Sequence, residues 1–367
     1  MARQDLLPET VSVVFAANDF YAPYLSALFA SILDHRDRAR AYELIVLSED
    51  LTKPHEQMLR EQVEGDNVTL QVLDVTSAML PYKDKLRVRG HFKRETYFRL
   101  LLPQLLPDHH KILYLDADMI CLHDVAELFD TDISDYLIAA CHDPDTTGIY
   151  NGIDIDVDQP NKREYTDTVL KLRNPYDYFQ AGTILFNLDA WREKIDVDEV
   201  FSFAGSHEFQ LLDQDVLNVF CQDQVRFVDM AWNVMYNYGG FRIREIISHS
   251  TPELYQAYLE AREHPYIVHY AGPVKPWDDA ECDFAEHFWR YAPSTPFYAV
   301  SVQRLIRSNA REELRELAAQ VEDTRQWLKS VDEELQRYEC RPVGLRIKEF
   351  LYHGVIAPLT GKPHSAK

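Results

Sequence analysis

Glycine is scarce in this sequence. The chain has 12 glycines among 367 residues, near half of the usual share of about 7%. They do not fall at the spacing of the GxGxxG dinucleotide fingerprint or of the Walker phosphate loop. The sequence therefore excludes Rossmann dinucleotide chemistry and P-loop chemistry.

Long apolar runs and closely spaced cysteines are also missing. No stretch of 18 or more apolar residues occurs, and the opening MARQDLLPET has neither the charged start nor the apolar stretch of a signal peptide. We therefore expect a cytoplasmic protein. The five cysteines are an odd number, and no two lie closer than 20 positions apart. This pattern predicts reduced thiols and neither a disulfide framework nor a CxxC metal site.

Basic residues are outnumbered by acidic ones. The chain has 38 Lys and Arg against 60 Asp and Glu, and its formal net charge is −22. Such a protein repels a phosphate backbone, so we do not expect nucleic acid as a partner. At roughly 100–200 residues per domain, the length allows one large domain with an appendage, or two domains.

Short apolar runs alternate with helical patterns over most of the chain. The run 11–17 predicts a strand, the apolar pairs between 24 and 33 predict a helix, and 44–47 predicts the next strand. The same alternation continues with helices at 56–63 and 95–102 and with strands at 68–72, 111–115, 137–141, 183–186, 225–228 and 266–269. It predicts an α/β fold with a mostly parallel sheet. Residues 144–178 form the longest predicted irregular stretch, either a substrate-facing excursion or a decorative loop.

The C-terminal part has a different pattern. Apolar residues follow a 3,4 heptad rhythm that only Thr324 interrupts: Leu314, Leu317, Val321, Leu328, Val331, Leu335 and Tyr338. A long amphipathic helix over 305–340 is predicted, which either pairs with another helix, as in a homo-oligomer, or docks on its own catalytic domain. Residues 341–367 carry a net charge of +4 and many apolar side chains. They fit either an anionic membrane surface or a core-packed terminal helix.

An acidic pair follows the predicted strand 111–115. Alternate residues of an extended chain point the same way, so Asp116 and Asp118 can reach one hard cation. Ligands of open α/β sheets bind at such strand ends. A phosphatase of the haloacid dehalogenase type also keeps an Asp-x-Asp at a strand end, with the first Asp as nucleophile. In such phosphatases the pair follows the first strand of the core, whereas in this chain about a hundred residues precede Asp116.

A second motif is the segment HYAGPVKPW at 269–277. The imidazole of His269 could complete a metal site begun by the aspartates. Gly272 permits close backbone approach, and Lys275 offers a point charge to a diphosphate. A structural role is the alternative for a histidine at a strand end. Together with the acidic pair, the motif predicts a metal–diphosphate site.

Five blocks of sequence carry a resemblance to a known family. They are FAANDFY at 15–21, YLDAD at 114–118, FQAGTILFN at 179–187, LDQDVLN at 212–218 and HYAGPVKPW at 269–277. In this order they resemble glycosyltransferase family 8, in particular the bacterial lipopolysaccharide galactosyl- and glucosyltransferases. The resemblance implies a GT-A fold, which is a Rossmann-like, mostly parallel mixed sheet that binds a UDP-sugar and Mn²⁺ or Mg²⁺. It implies transfer of a hexose with retention of anomeric configuration.

The resemblance also implies roles for individual residues. Asp116, Asp118 and His269 would bind the metal, with Ala117 between the aspartates, and Gly272 and Lys275 would hold the diphosphate. The uridine would lie against Ala16, Asn18 and Tyr21, although the family commonly has Asp where Asn18 stands. The spacing from His91 to Arg99 makes Arg99 a candidate contact of the donor phosphate or sugar. The transferred sugar would contact Asp143, Gln180, Ala181, Gly182, Asp213 and Gln214.

The interpretation is a UDP-hexose-dependent transferase with three parts. Residues 1–304 would be the catalytic domain, 305–340 the heptad helix and 341–367 a basic segment for peripheral membrane contact. A same-face substitution is the preferred mechanism, and Asp215 is the alternative nucleophile unless it only stabilises a helix N-terminus. A metal-dependent phosphohydrolase using Asp116 and Asp118 is the competing class. The acceptor, a glycan, glycolipid or glycoprotein, is open.

Overall fold

The structure is a computed structural model that describes residues 9–65, 67–86, 94–153 and 162–339. The predicted role of His91 and the predicted basic segment 341–367 lie outside the described residues. Unit 1 of the structure is Met1–Leu305 and unit 2 is Ile306–Lys367. The boundaries of 304 and 340 between the three parts stay a prediction.

In the described part of the chain, ten strands form two sheets. In chain order they are β1 (Val11–Ala16), β2 (Tyr42–Ser48), β3 (Val68–Asp74), β4 (Lys111–Asp116), β5 (Met119–Cys121), β6 (Ile138–His142), β7 (Phe179–Asn187), β8 (Val225–Phe227), β9 (Val234–Met235) and β10 (Ile267–His269). The large sheet has the order β3-β2-β1-β4-β7-β6-β8, and the small one has the order β5-β10-β9. The predicted α/β class is confirmed.

One strand runs against the others in the large sheet. β7 pairs antiparallel with both β4 and β6, while the pairs β1–β2, β2–β3, β1–β4 and β6–β8 are parallel. Because β7 runs the other way, its first residues meet the last residues of β4. In this register Thr183 lies opposite Leu115. The reversal therefore brings residues 180–182 beside the acidic pair.

Helices cover both faces of the large sheet, which lies between two apolar clusters. The α-helices are α1 (Ala22–His35), α2 (Lys53–Val63), α3 (Thr76–Met79), α4 (Leu102–Leu105), α5 (Val125–Phe129), α6 (Pro144–Asn151), α7 (Lys162–Tyr165), α8 (Leu188–Lys194), α9 (Val197–Ala204), α10 (Asp213–Phe220), α11 (Pro252–Glu263), α12 (Ala285–Tyr291) and α13 (Tyr298–Glu339). Pro23 in the first turn of α1 lacks the N–H that a helix start leaves unbonded. Alternate residues of β1 and β2 enter opposite clusters, as the period of a strand requires.

The structure confirms one prediction of local structure in a modified form and corrects another. The helix predicted at 95–102 is present, as a 3₁₀ helix at 94–101 that is followed by one α-helical turn at 102–105. Glu95, Thr96 and Arg99 of this segment bond to groups elsewhere in the fold, and these tertiary bonds override helix propensity. Residues 144–178 are not irregular throughout, because α6, α7, a π-helical turn at 166–170 and a 3₁₀ turn at 175–177 occupy them.

The C-terminal helix α13 starts seven residues before the predicted one. Its apolar side chains Leu314, Leu317 and Leu328 are 66%, 56% and 54% exposed. The heptad seam is therefore open to solvent at these positions of α13. Within the described ranges, every helix is too short or too polar to cross a membrane.

Candidate active site

Two carboxylates lie where β4 ends. Asp116 is the last residue of β4, and Asp118 follows in the turn before β5. β4 is parallel to β1, and Asp116 lies opposite Ala16, so both strands end at the same edge of the sheet. Two half-buried carboxylates thus lie at the carboxyl ends of parallel strands, where open α/β sheets bind ligands.

His269 joins this pair from the small sheet. It is the last residue of β10 and lies opposite Met119 of β5. Its Nε2 is 3.3 Å from Asp118 Oδ1 and 3.7 Å from Asp116 Oδ2. Potential ligand atoms of the three side chains all lie within 4.8 Å of one another. The structure therefore brings the three sequence-predicted metal ligands together.

Hydrogen bonds fix the orientation of the His269 ring. Gln180 Oε1 accepts from the backbone N–H of Gly182 and from Asn233 Nδ2, both at 2.5 Å. Asn233 therefore turns its Oδ1 to His269 Nδ1, which lies 2.9 Å away and must carry the hydrogen. In a neutral ring, the Nε2 lone pair then faces the two carboxylates. Three negative or electron-rich groups that converge in this way fit a divalent cation such as Mn²⁺.

Gly182 permits the close packing of this cluster. A Cβ atom there would lie 2.5 Å from His269 Cε1 and 2.9 Å from Asp116 Oδ2. Both distances are well below ordinary van der Waals contact. A side chain at position 182 would therefore displace the imidazole or the carboxylate.

Lys275 lies on the other side of Asp118. Its Nζ donates to Asp118 Oδ2 at 2.5 Å and to the carbonyl oxygen of Tyr270 at 2.6 Å. Burial by itself would raise the pKa of Asp118, but the ammonium group of Lys275 holds that pKa well below its usual range. The carboxylate therefore stays ionised at neutral pH.

The backbone that carries Lys275 is braced by Tyr236 and Arg242. The Tyr236 hydroxyl accepts from the N–H of Val274 at 3.2 Å and donates to the Val274 carbonyl oxygen. Arg242 donates to the carbonyl oxygens of Tyr236 and Ala271. At Gly272, a Cβ atom would lie 2.6 Å from the Tyr236 hydroxyl, so only glycine fits against this brace.

Arg99 lies between Asp116 and Asp213 and is only 5% exposed. Its Nη2 donates to Asp116 Oδ1 at 2.8 Å, and its Nη1 donates to the carbonyl oxygen of Ala181. Its Nε lies 2.9 Å from Asp213 Oδ2 but donates its hydrogen to the carbonyl oxygen of Thr96 at 3.1 Å. The family resemblance makes Arg99 a candidate contact of the donor phosphate or sugar. The structure shows it holding protein carboxylates and backbone.

Asp213 is the buried partner in this ion pair. Its side chain is 4% exposed, and the Thr96 hydroxyl donates to its Oδ1. Burial raises the pKa of Asp213 to about 6, although the guanidinium of Arg99 acts in the opposite direction. The ion pair therefore only partly offsets the cost of burying this charge.

Gln214 connects the remaining residues predicted to face the sugar. Its Oε1 accepts from the N–H of Ala181 at 2.9 Å, and its Nε2 donates to Asp143 Oδ2 at 2.9 Å. The other oxygen of Asp143 accepts from Thr146 N at 3.0 Å and caps the start of α6. These bonds fix the amide plane of Gln214 between β7 and α6.

Asp215 is completely buried. The hydroxyls of Tyr165 and Tyr178 donate to its two oxygens at 2.7 Å each, and the N–H of Leu211 donates to Oδ2 at 2.8 Å. Three donors thus occupy both oxygens of the carboxylate. This arrangement favours the structural interpretation of Asp215 over a nucleophilic one.

The residues predicted to bind the nucleoside lie at the end of β1. Asn18 Oδ1 accepts from the N–H of Tyr21 at 3.1 Å, and Asn18 Nδ2 donates to Glu95 Oε1 at 2.6 Å. Ala16, at the end of the same strand, lies opposite Asp116 in the register of β1 with β4. The predicted nucleoside and metal sites are therefore contiguous.

Sequence reasoning missed the residues that orient this site. Asn233 and Glu95 bond to the side chains of His269 and Asn18, and Arg242 bonds to the backbone of Ala271, each between segments far apart in the chain. Asn233 directly precedes β9, which pairs with β10 beside His269, but a strand of two residues gives no periodic signal.

The family model described as "Glycosyl transferase family 8" matches residues 12–281 of this chain. The chain belongs to glycosyltransferase family 8, as its sequence blocks predict. It is similar to General stress protein A of Bacillus subtilis, with 26% identity over 80% of this chain and 96% of that protein. It is also similar to a lipopolysaccharide 1,3-galactosyltransferase of Salmonella typhimurium, with 28% identity over 55% of this chain and 52% of that protein.

Solved structures confirm the predicted GT-A-like architecture. The apo structure of the bifunctional glycosyltransferase WbbM superposes with a TM-score of 0.72 at 28% identity, over 83% of this chain and 53% of that one. The galactosyltransferase LgtC, in complex with donor and acceptor sugar analogues, gives a TM-score of 0.61 at 25% identity. That match covers 78% of this chain and 96% of LgtC.

Proposed function

We propose that this family 8 glycosyltransferase is a metal-dependent, retaining hexosyltransferase. It transfers glucose or galactose from a UDP-sugar to a hydroxyl of a cell-surface glycan or glycoconjugate. The observation that carries the proposal is the convergence of Asp116, Asp118 and His269, with Lys275 beside them. The solved complex of LgtC with donor and acceptor sugar analogues supports a donor site in the same fold.

The metal ligands in this proposal are the two aspartates and the Nε2 atom of His269. When bound, a divalent cation would offset the charge that develops on the diphosphate as it leaves the sugar. Lys275 exchanges its bond to Asp118 for one to the diphosphate, and Gly272 lets the backbone approach the same group. The uridine lies against Ala16, Asn18 and Tyr21.

In this proposal Arg99 positions protein groups of the site and does not itself contact the donor. It holds Asp116 in place, and through Asp213 and the carbonyl oxygen of Ala181 it fixes the floor of the sugar pocket. Asp143, Gln180, Gly182 and Gln214 line the rest of that pocket.

Retention needs either a covalent intermediate or attack on the face from which the leaving group departs. Buried donors already engage both oxygens of Asp215, and Gln214 is an amide whose oxygen accepts from Ala181. Neither group offers a free carboxylate nucleophile. The contacts therefore favour same-face substitution, in which the acceptor hydroxyl attacks the anomeric carbon and the departing phosphate takes its proton.

The acceptor and the location of the enzyme also belong to the proposal. We place the enzyme in the cytoplasm, with peripheral contact to anionic membrane through residues 341–367 and with self-association through the exposed heptads of α13. A glycan, a glycolipid and a glycoprotein all remain candidate acceptors.

The test is turnover of a panel of nucleotide sugars with no acceptor added. The full chain is incubated with UDP-glucose, UDP-galactose and UDP-N-acetylglucosamine in Mn²⁺ or in EDTA, and UDP is quantified by chromatography. We expect slow release of UDP from one of the two hexose donors in Mn²⁺ and a drop to background in EDTA. Release of orthophosphate from simple phosphate esters, with every UDP-sugar intact, would establish the rival phosphohydrolase.

A further inference from the structure

A contact between Asn18 and Glu95 lies at the nucleoside end of the site. Asn18 follows β1 at the sheet edge and is 6% exposed, while Glu95 comes from the 3₁₀ helix Arg94–Leu101 and is half-buried. Asn18 Nδ2 lies 2.6 Å from Glu95 Oε1. The two residues are 77 positions apart, so the fold assembles this contact from separate segments.

Neighbouring bonds determine which way the Asn18 amide faces. The backbone N–H of Tyr21 can only donate, so the atom of Asn18 that lies 3.1 Å from it must be the oxygen. The NH₂ group therefore faces Glu95. One of its two hydrogens is bonded to Glu95 Oε1, which leaves the other hydrogen for a ligand.

The carboxylate of Glu95 can also accept a further hydrogen bond. Among the residues that the structure describes, Glu95 Oε2 has no hydrogen-bond partner. A carboxylate oxygen only accepts, and it lies next to an amide N–H that only donates. The pair therefore presents one acceptor and one donor side by side at the end of β1.

We infer that Glu95, together with Asn18, selects the nucleobase of the donor by its lactam edge. Uracil and guanine each have a ring N–H next to a carbonyl oxygen. Glu95 Oε2 accepts the ring N–H, and Asn18 donates its second hydrogen to the carbonyl oxygen. This inference rests on the proposed function and adds a specificity residue to it.

The same pair disfavours bases that have an amino edge. Cytosine and adenine place an unprotonated ring nitrogen beside their amino group. Against Glu95, that nitrogen would direct its lone pair at a carboxylate, and the missing hydrogen bond would leave a charged acceptor unsatisfied. The arrangement therefore predicts preference for UDP over CDP. The carboxylate that makes this selection comes from Glu95 of the 3₁₀ helix. Glu95 lies beside Asn18, a position where the family commonly has Asp.

The experiment is a swap of base preference in the full chain. Dissociation constants of UDP, CDP and GDP are measured by calorimetry in Mn²⁺ for the wild type and for Glu95→Gln. Glutamine keeps an oxygen for Asn18 and offers an N–H in place of Oε2, so it suits the unprotonated ring nitrogen of cytosine. We expect UDP to bind about tenfold more weakly and CDP to bind more tightly, so that the ratio of their affinities falls by well over tenfold.

The control is Asp50→Asn, which removes a carboxylate near the same sheet edge, where Asp50 accepts from the N–H of Asp19. This variant should leave the UDP-to-CDP ratio unchanged. Thermal melting of each variant checks that it is folded.

Three outcomes separate this inference from the proposed function. If the wild type prefers UDP and Glu95→Gln leaves the ratio unchanged, the role of Glu95 is overturned while the UDP-sugar donor stands. If the wild type prefers GDP and Glu95→Gln removes that preference, the lactam selection stands and the uridine donor is wrong. If the wild type binds CDP as tightly as UDP, the base selection is overturned.

Discussion

Asp118→Asn should lower the release of UDP from the accepted donor by about a thousandfold. The substitution removes a ligand charge from the cluster and breaks the bond that Lys275 makes at 2.5 Å. A metal that offsets charge on a leaving group contributes several kcal/mol, and each 1.36 kcal/mol is a factor of ten in rate. The measurement is the initial rate of UDP release at saturating Mn²⁺.

An exposed aspartate serves as the control for Asp118→Asn. Asp130 is 57% exposed and pairs with Arg40 at 2.6 Å, so Asp130→Asn should keep the wild-type rate. Melting curves should show that both variants are folded. If Asp118→Asn kept more than a tenth of the wild-type rate, the proposed metal site would not be the site of catalysis.

Arg99→Met should lower the free energy of unfolding by about 3–5 kcal/mol. Removing one partner of a buried ion pair leaves the other charge without compensation, and that is the usual cost. Here the side chain of Asp213 is 4% exposed, and Asp116 loses its bond to Arg99 at 2.8 Å. The guanidinium also lies 4.3 Å from the centre of the Tyr114 ring, so packing is lost together with charge. Urea unfolding followed by circular dichroism measures the effect.

Two further variants identify the cause of this loss. The double variant Arg99→Met with Asp213→Asn should recover part of the stability, because it removes the uncompensated charge. Arg173→Met breaks a pair whose side chains are 75% and 50% exposed, and it should cost no more than about 1 kcal/mol. A loss at Arg99 as small as that at Arg173 would show that the buried pair contributes little to the fold.

The sequence predicted the parts of the site that depend on strand ends. Asp116 and His269 each end an apolar run, and in an α/β sheet such ends meet at one edge. The structure reaches this proximity by another route, because His269 ends β10 of the small sheet and the antiparallel pairing of β10 with β5 brings it to the aspartates. The family resemblance added the order of the blocks, and the match over residues 12–281 confirms the family.

The direction of β7 could not be predicted from its composition. An apolar strand fits a parallel or an antiparallel neighbour equally well, and the chain connections decide between them. The small sheet was difficult for another reason. The strand predicted at 266–269 is present as β10, but its partners β5 and β9 have only three and two residues, too few for a period to show.

The position of Arg99 shows a limit of motif spacing. Its place in the chain links it to the donor site, but spacing does not reveal which way a guanidinium turns. In the structure it faces Asp116 and Asp213, because a buried charge requires partners and these carboxylates supply them. The bond between Asn18 and Glu95 could not be predicted either, because it joins segments 77 positions apart in the chain.

The central claim is that Asp116, Asp118 and His269 bind a divalent cation together with a uridine diphosphate. Calorimetric titration of UDP into the full chain, with Mn²⁺ or with EDTA, tests it without a known acceptor. We expect one UDP per chain in Mn²⁺, with little binding in EDTA or in the His269→Ala variant. Equal affinity for UDP in Mn²⁺ and in EDTA would contradict it.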